Sequence, residues 1–149
     1  MEDKLSKKLT WFYYGCYVLA CLVATAMWYM VSRGYMQTIP PQSAQGNVIQ
    51  YIAIIYTIVS VPGGLYAFKL ICNKIKRLEN SEKYATYYKW AVVRICVIGI
   101  GITLDVAAFY LLSGYKSMLW CGAISAVGLF FCKPMPRKIE LELTDEEQK

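Results

Sequence analysis

The chain has 149 residues, 57% of them hydrophobic and 17% charged, with a net charge of +6. Soluble domains average about 45–50% apolar and about 25% charged residues, and here the charges gather at the ends of long apolar runs. That is the composition of an integral membrane protein of one domain, residues 1–149, and it excludes a nucleic-acid-binding protein, because the basic residues sit at headgroup level rather than along one polar face.

Crossing about 30 Å of hydrocarbon takes about 20 helical residues. Four runs approach or exceed that length: 10–31, 48–72, 88–112 and 117–132, the last being the shortest. None shows period-2 alternation, so all are expected to be helices. The expected fold is an all-α polytopic bundle of four transmembrane helices.

The first run is too long for the apolar region of a signal peptide, and no small-residue cleavage site follows it. It is expected to be a retained helix, with Trp11, Tyr13 and Tyr14 at one edge and Trp28 and Tyr29 at the other. The connection 32–47 contains Pro40-Pro41, which favours extended chain. In the second run, Ser60-Val61 is followed by Pro62, Gly63 and Gly64. Proline removes one helical hydrogen bond and clashes with the preceding turn, and the glycines add freedom. The segment is a candidate helix break that would line a site, or a simple kink.

The connection 73–87 alternates basic and acidic residues and is expected to prolong the second and third helices beyond the membrane. The third run holds two charges, Arg94 and Asp105. Eleven positions apart, they share a helix face but are about 16 Å from each other along the axis, too far to pair. An acid at that depth costs about 2.5–3.5 kcal/mol on insertion scales, so Asp105 must find a partner or water. Tyr, Ser and Thr side chains, Arg33 or a second copy of the chain are the candidates. Asp105 reads either as a proton or cation site or as a structural polar contact between helices.

Small residues concentrate in the third and fourth runs: Gly99, Gly101, Gly122, Ala123, Ser125, Ala126 and Gly128. They permit close backbone approach, within one chain or between two. The tail 133–149 is charged and ends in Asp145-Glu146-Glu147; it is expected to fray or to form a short surface helix.

Thirteen of the sixteen Lys and Arg residues fall in the N-terminal segment, the second connection and the tail, against two, Arg33 and Lys116, on the opposite side. Basic residues stay inside, so both termini are expected in the cytoplasm. A weak internal similarity, Trp28-Tyr29-Met30-Val31-Ser32 against Phe109-Tyr110-Leu111-Leu112-Ser113, suggests two related helical hairpins.

No reaction chemistry is apparent. The chain has no histidine to activate its serines or its six cysteines, and no CxxC pair. No cofactor, metal or enzymatic activity is therefore expected, and the cysteines are read as small apolar packers.

From Tyr88 the chain reads Y-K-W-A-V-V-R, then Y-L-L-S-G, and closes with F-F-C-K-P-M-P-R-K-I-E-L-E-L. This stretch, about the last sixty residues, resembles small four-span membrane proteins of bacteria. The resemblance implies a bacterial inner membrane and brings no assigned activity. It also implies an acid and a glycine near the middle of the third span, where this chain has Gly101-Ile102-Thr103-Leu104-Asp105.

Two functions are compatible with the sequence. The first is a non-catalytic membrane protein that associates with itself or with a membrane partner. The second is a small oligomeric transporter or channel subunit using Asp105 and the Pro62 segment on a small molecule or ion.

Overall fold

The computed structural model describes residues 2–143 and is all-helical, in the order α1 (Glu2–Ser32), α2 (Ala44–Ile75), α3 (Asn80–Leu111), α4 (Lys116–Phe131) and α5 (Pro136–Leu143). Asp145-Glu146-Glu147 lies outside the described residues. The three long helices are each long and apolar enough to cross a membrane. α4 has 16 residues, about 24 Å at 1.5 Å per residue, and falls short by itself. It counts as a fourth span only together with α5, from which it is bent by 75°.

α3 is the central helix, with α1, α2 and α4 packed against it, and α4 also rests on α2. α1 packs on α3 and has little or no contact with α2, whereas α3 and α4 pack together. The physical reason lies in the contact surfaces. Gly99 of α3 lies so close to α1 that an added Cβ would stand 2.6 Å from the Cys16 sulfur, and no comparable notch joins α1 to α2 among the described residues.

α2 begins at Ser43, whose hydroxyl accepts from the Gly46 amide at 3.0 Å. The Pro40-Pro41 segment is non-helical as expected, and Ile39 donates its amide to the Leu111 carbonyl at 2.8 Å, tying this loop to the end of α3. The helix then runs unbroken through Pro62 to Ile75. Of the two readings of Pro62-Gly63-Gly64, the segment shows no interruption of the helix. Proline costs one hydrogen bond there, and packing of Val61 into the space over Gly128 holds the segment in place.

The link between α2 and α3 is only four residues, so both helices do extend past the apolar runs. Contacts along this antiparallel pair keep one register. Thr57 meets Asp105, Gly64 faces Ile98 and Phe68 meets Arg94, each pair equally far in sequence from position 81.

The tail forms the short helix α5, which packs against α1 and α2 and buries its Ile139 and Leu143. It is clasped there by two bonds: Ser6 donates to the Pro134 carbonyl at 2.9 Å, and the Tyr87 hydroxyl donates to Glu142 at 2.5 Å.

The apolar core forms two clusters. One, around Ile95, Ile98, Phe68 and Leu129, fills the half nearer the α2–α3 link. The other, around Ala53, Ala108, Leu112 and Met118, fills the opposite end beneath the proline loop. A polar layer lies at the level of Thr57, Asp105 and Ser125.

Candidate functional site

Among the described residues, the buried charged side chains are Arg94 and Asp105. The structure places them in separate surroundings. The Arg94 guanidinium lies flat over the Phe68 ring, 3.6 Å from its centroid. This cation–π contact replaces an ion pair, and the Nε is left without a hydrogen-bond partner. Arg33, one candidate partner for Asp105, instead sits 5.4 Å over the Tyr29 ring.

Asp105 is 1% exposed and is the junction of three helices. Thr57 of α2 donates to both its oxygens, at 3.2 and 3.1 Å, and Ser125 of α4 donates to Oδ2 at 2.9 Å. A buried carboxylate must be hydrogen-bonded to persist in an apolar interior, and two hydroxyls from two neighbouring helices do that. The sequence pointed to Ser/Thr partners in general and to Ser125 as a packing residue. It did not single out Thr57.

The small residues expected to pack do so within the chain. An added Cβ at Gly99 would meet Cys16 of α1, at Gly101 it would stand 3.1 Å from Tyr56 of α2, and at Gly122 it would stand 3.6 Å from the Asp105 Cβ. The Ala126 carbonyl accepts from the Tyr17 hydroxyl of α1 at 3.2 Å. Tyr56 also donates to the Val97 carbonyl at 2.8 Å, crossing from α2 to α3. Gly63 and Gly64 have no comparably close neighbour; only Gly64 comes within 4.0 Å of Ile98.

Beside Asp105 lies a cavity of about 440 Å³ between α1, α3 and α4. α1 and α4 have few direct contacts, and the cavity they share with α3 is partly open. Its wall is almost wholly apolar, with Ala20, Ala24, Gly122 and Ala123 providing the space, and Asp105 is its one acidic residue. Tyr17, Phe109 and Tyr110 contribute aromatic rings. The cavity ends at the Tyr17–Ala126 hydrogen bond: no lining residue of α1 precedes Tyr17, and none of α4 follows Ala126.

The Pro62-Gly63-Gly64 segment and Arg94 do not line this cavity. Asp105, Gly122 and Ala126 do, whereas Gly99, Gly101 and Ser125 stand behind it as packing or hydrogen-bonding residues. No group of three His, Cys, Asp or Glu side chains placed to hold a metal ion occurs among the described residues.

No protein-family model matches the chain, and neither a curated protein nor a solved structure is significantly similar to it.

Proposed function

We propose that the protein is a non-catalytic integral membrane protein that binds a bilayer-borne ligand in the groove between α1 and α4, acting as a small transporter or as an accessory subunit of one. One observation carries this reading. A partly open, otherwise apolar cavity of about 440 Å³ has the buried acid Asp105 among its wall residues. Ligand sites are typically concave and mostly apolar, with a few placed polar groups, and ionisable residues inside a membrane mark ligand or ion paths. The groove faces acyl chains in a bilayer, so its occupant arrives through the lipid.

We further propose four spans, with the bent α4–α5 pair as the fourth, and both termini in the cytoplasm of a bacterial cell. The thirteen-to-two distribution of basic residues supports this orientation. Among the described residues this cavity ends at Tyr17 and Ala126 and does not cross the bundle. Transport would therefore require a second copy or a membrane partner, and a homodimer is the simplest such assembly.

Native mass spectrometry of protein released from nanodiscs tests the reading. The wild type is expected to retain a small-molecule or lipid adduct that Ala123→Phe, which fills the groove, loses. Identical spectra for the two proteins would refute it.

A further inference from the structure

Resting on that groove-binding reading, we propose that the preferred occupant is a lipophilic organic cation: a quaternary ammonium or phosphonium centre carrying aromatic or alkyl groups.

Charge is the first ground. Asp105 accepts hydrogen bonds from Thr57 and Ser125. These hydroxyls satisfy the carboxyl oxygens but supply no compensating positive charge. The other buried charge, Arg94, is engaged with Phe68 three turns away on the same helix. The groove thus holds an acid whose natural counter-ion must come from outside the chain. A cation within about 4–6 Å of a carboxylate is attracted without touching it, and low-dielectric surroundings strengthen that attraction.

Access is the second ground. Gly122 lies over the Asp105 side chain, where an added Cβ would reach 3.6 Å from the Asp105 Cβ. Asp105 is itself 1% exposed, so a cation would feel it across this thin layer; a long side chain at position 122 would thicken the layer, and glycine keeps it at its thinnest.

The wall is the third. Tyr17, Phe109 and Tyr110 face a cavity otherwise lined by aliphatic and small residues. Aromatic faces attract weakly hydrated cations, while the aliphatic wall holds their apolar substituents. A strongly hydrated metal cation fits poorly, because the groove supplies one carboxylate and few other oxygens. A neutral lipid would gain nothing from Asp105.

Equilibrium binding of tetraphenylphosphonium to the full-length protein in nanodiscs tests the proposal, with triphenylphosphine oxide as a neutral analogue of similar shape. The wild type is expected to bind the cation saturably and to prefer it over the neutral analogue by at least about tenfold, equivalent to about 1.4 kcal/mol. Asp105→Asn, which can still accept from both hydroxyls, is expected to remove that preference while retaining the neutral analogue. Gly122→Leu is expected to weaken both ligands with the acid intact. Circular dichroism and gel filtration confirm folding of each variant. Equal binding of the two probes, unchanged in Asp105→Asn, would overturn the cation assignment and leave the groove reading standing. Absence of binding by both probes in the folded wild type would overturn both.

Discussion

The Thr57–Asp105–Ser125 layer makes a quantitative prediction about how the helices are held. Thr57→Val and Ser125→Ala each remove one hydroxyl donor at little cost in shape. Interhelical hydrogen bonds in membrane proteins average about 0.6 kcal/mol and reach about 1.7, and bonds to charged groups lie toward the strong end, about 1.5–3. Ser125 makes one short bond of 2.9 Å, whereas Thr57 divides one hydroxyl between two oxygens at 3.1 and 3.2 Å. Ser125→Ala should therefore cost about 1.5 kcal/mol and Thr57→Val about 0.7. The double variant should exceed their sum by about 1 kcal/mol or more, because the carboxylate is then buried without a donor. Adding Asp105→Leu to the double variant should restore most of the loss, since replacing every member of a polar cluster by apolar groups is close to neutral. Unfolding free energies from detergent titration, followed by circular dichroism, give the complete cycle. Additivity within about 0.5 kcal/mol, or no recovery on adding Asp105→Leu, would refute the argument.

Four further outcomes are expected. Gly128→Ala should cost about 1–3 kcal/mol, because its Cβ would stand 2.6 Å from Val61 Cγ1; Val61→Ala in the same chain should recover most of it in thermal unfolding. Gly63→Ala should be neutral or stabilise by up to about 1 kcal/mol, since the site is helical with nothing within 4 Å, and a clear loss of stability would count against continuous helix there. Ile139→Asp should detach α5, because this residue is fully buried, and limited trypsin digestion should then cut faster after Arg137 and Lys138. Phe68→Leu should lower stability by about 1–2 kcal/mol by taking the ring from beneath Arg94, and Phe68→Tyr should retain most of it.

Much of the architecture was legible because hydropathy and helix length are local properties. Four helices stand over the four apolar runs, and the charged connections prolong α2 and α3 as the alternation of charges suggested. The burial of Asp105 followed from its depth in an apolar run, and Ser and Thr hydroxyls stood among its candidate partners beside tyrosines, Arg33 and a second copy of the chain. Three things were not legible. The sequence of α4 does not say how a helix of 16 residues ends, and the 75° bend into α5 depends on Ile139 and Leu143 finding the bundle. Pro62 and two glycines leave a break and a kink both open in isolation, and the packing of Val61 on Gly128 that accompanies the continuous helix is not a local signal. The partners of α1 were hidden because Gly99 matches Cys16 across a pairing that no local pattern encodes. Thr57 was only roughly within reach: a register centred on the α2–α3 link, near position 78, would set it opposite Gly99, whereas the observed register is centred on position 81 and brings it to Asp105.

The attachment of α1 to α3 has a consequence for synthesis. Of the five described helices α1 leaves the ribosome first, yet Cys16 meets Ile95, 79 residues later, and Tyr17 meets Ala126, 109 residues later. At about 5–20 residues per second, the first of those partners emerges roughly 4–16 s after Cys16. For that interval α1 has no docking site on its own chain, and lipid must accommodate its whole circumference. This accounts for the way its sequence is apolar nearly all round, with Lys4, Lys7 and Lys8 at one end and Arg33 at the other: the helix is built to stand alone before it is built to pack.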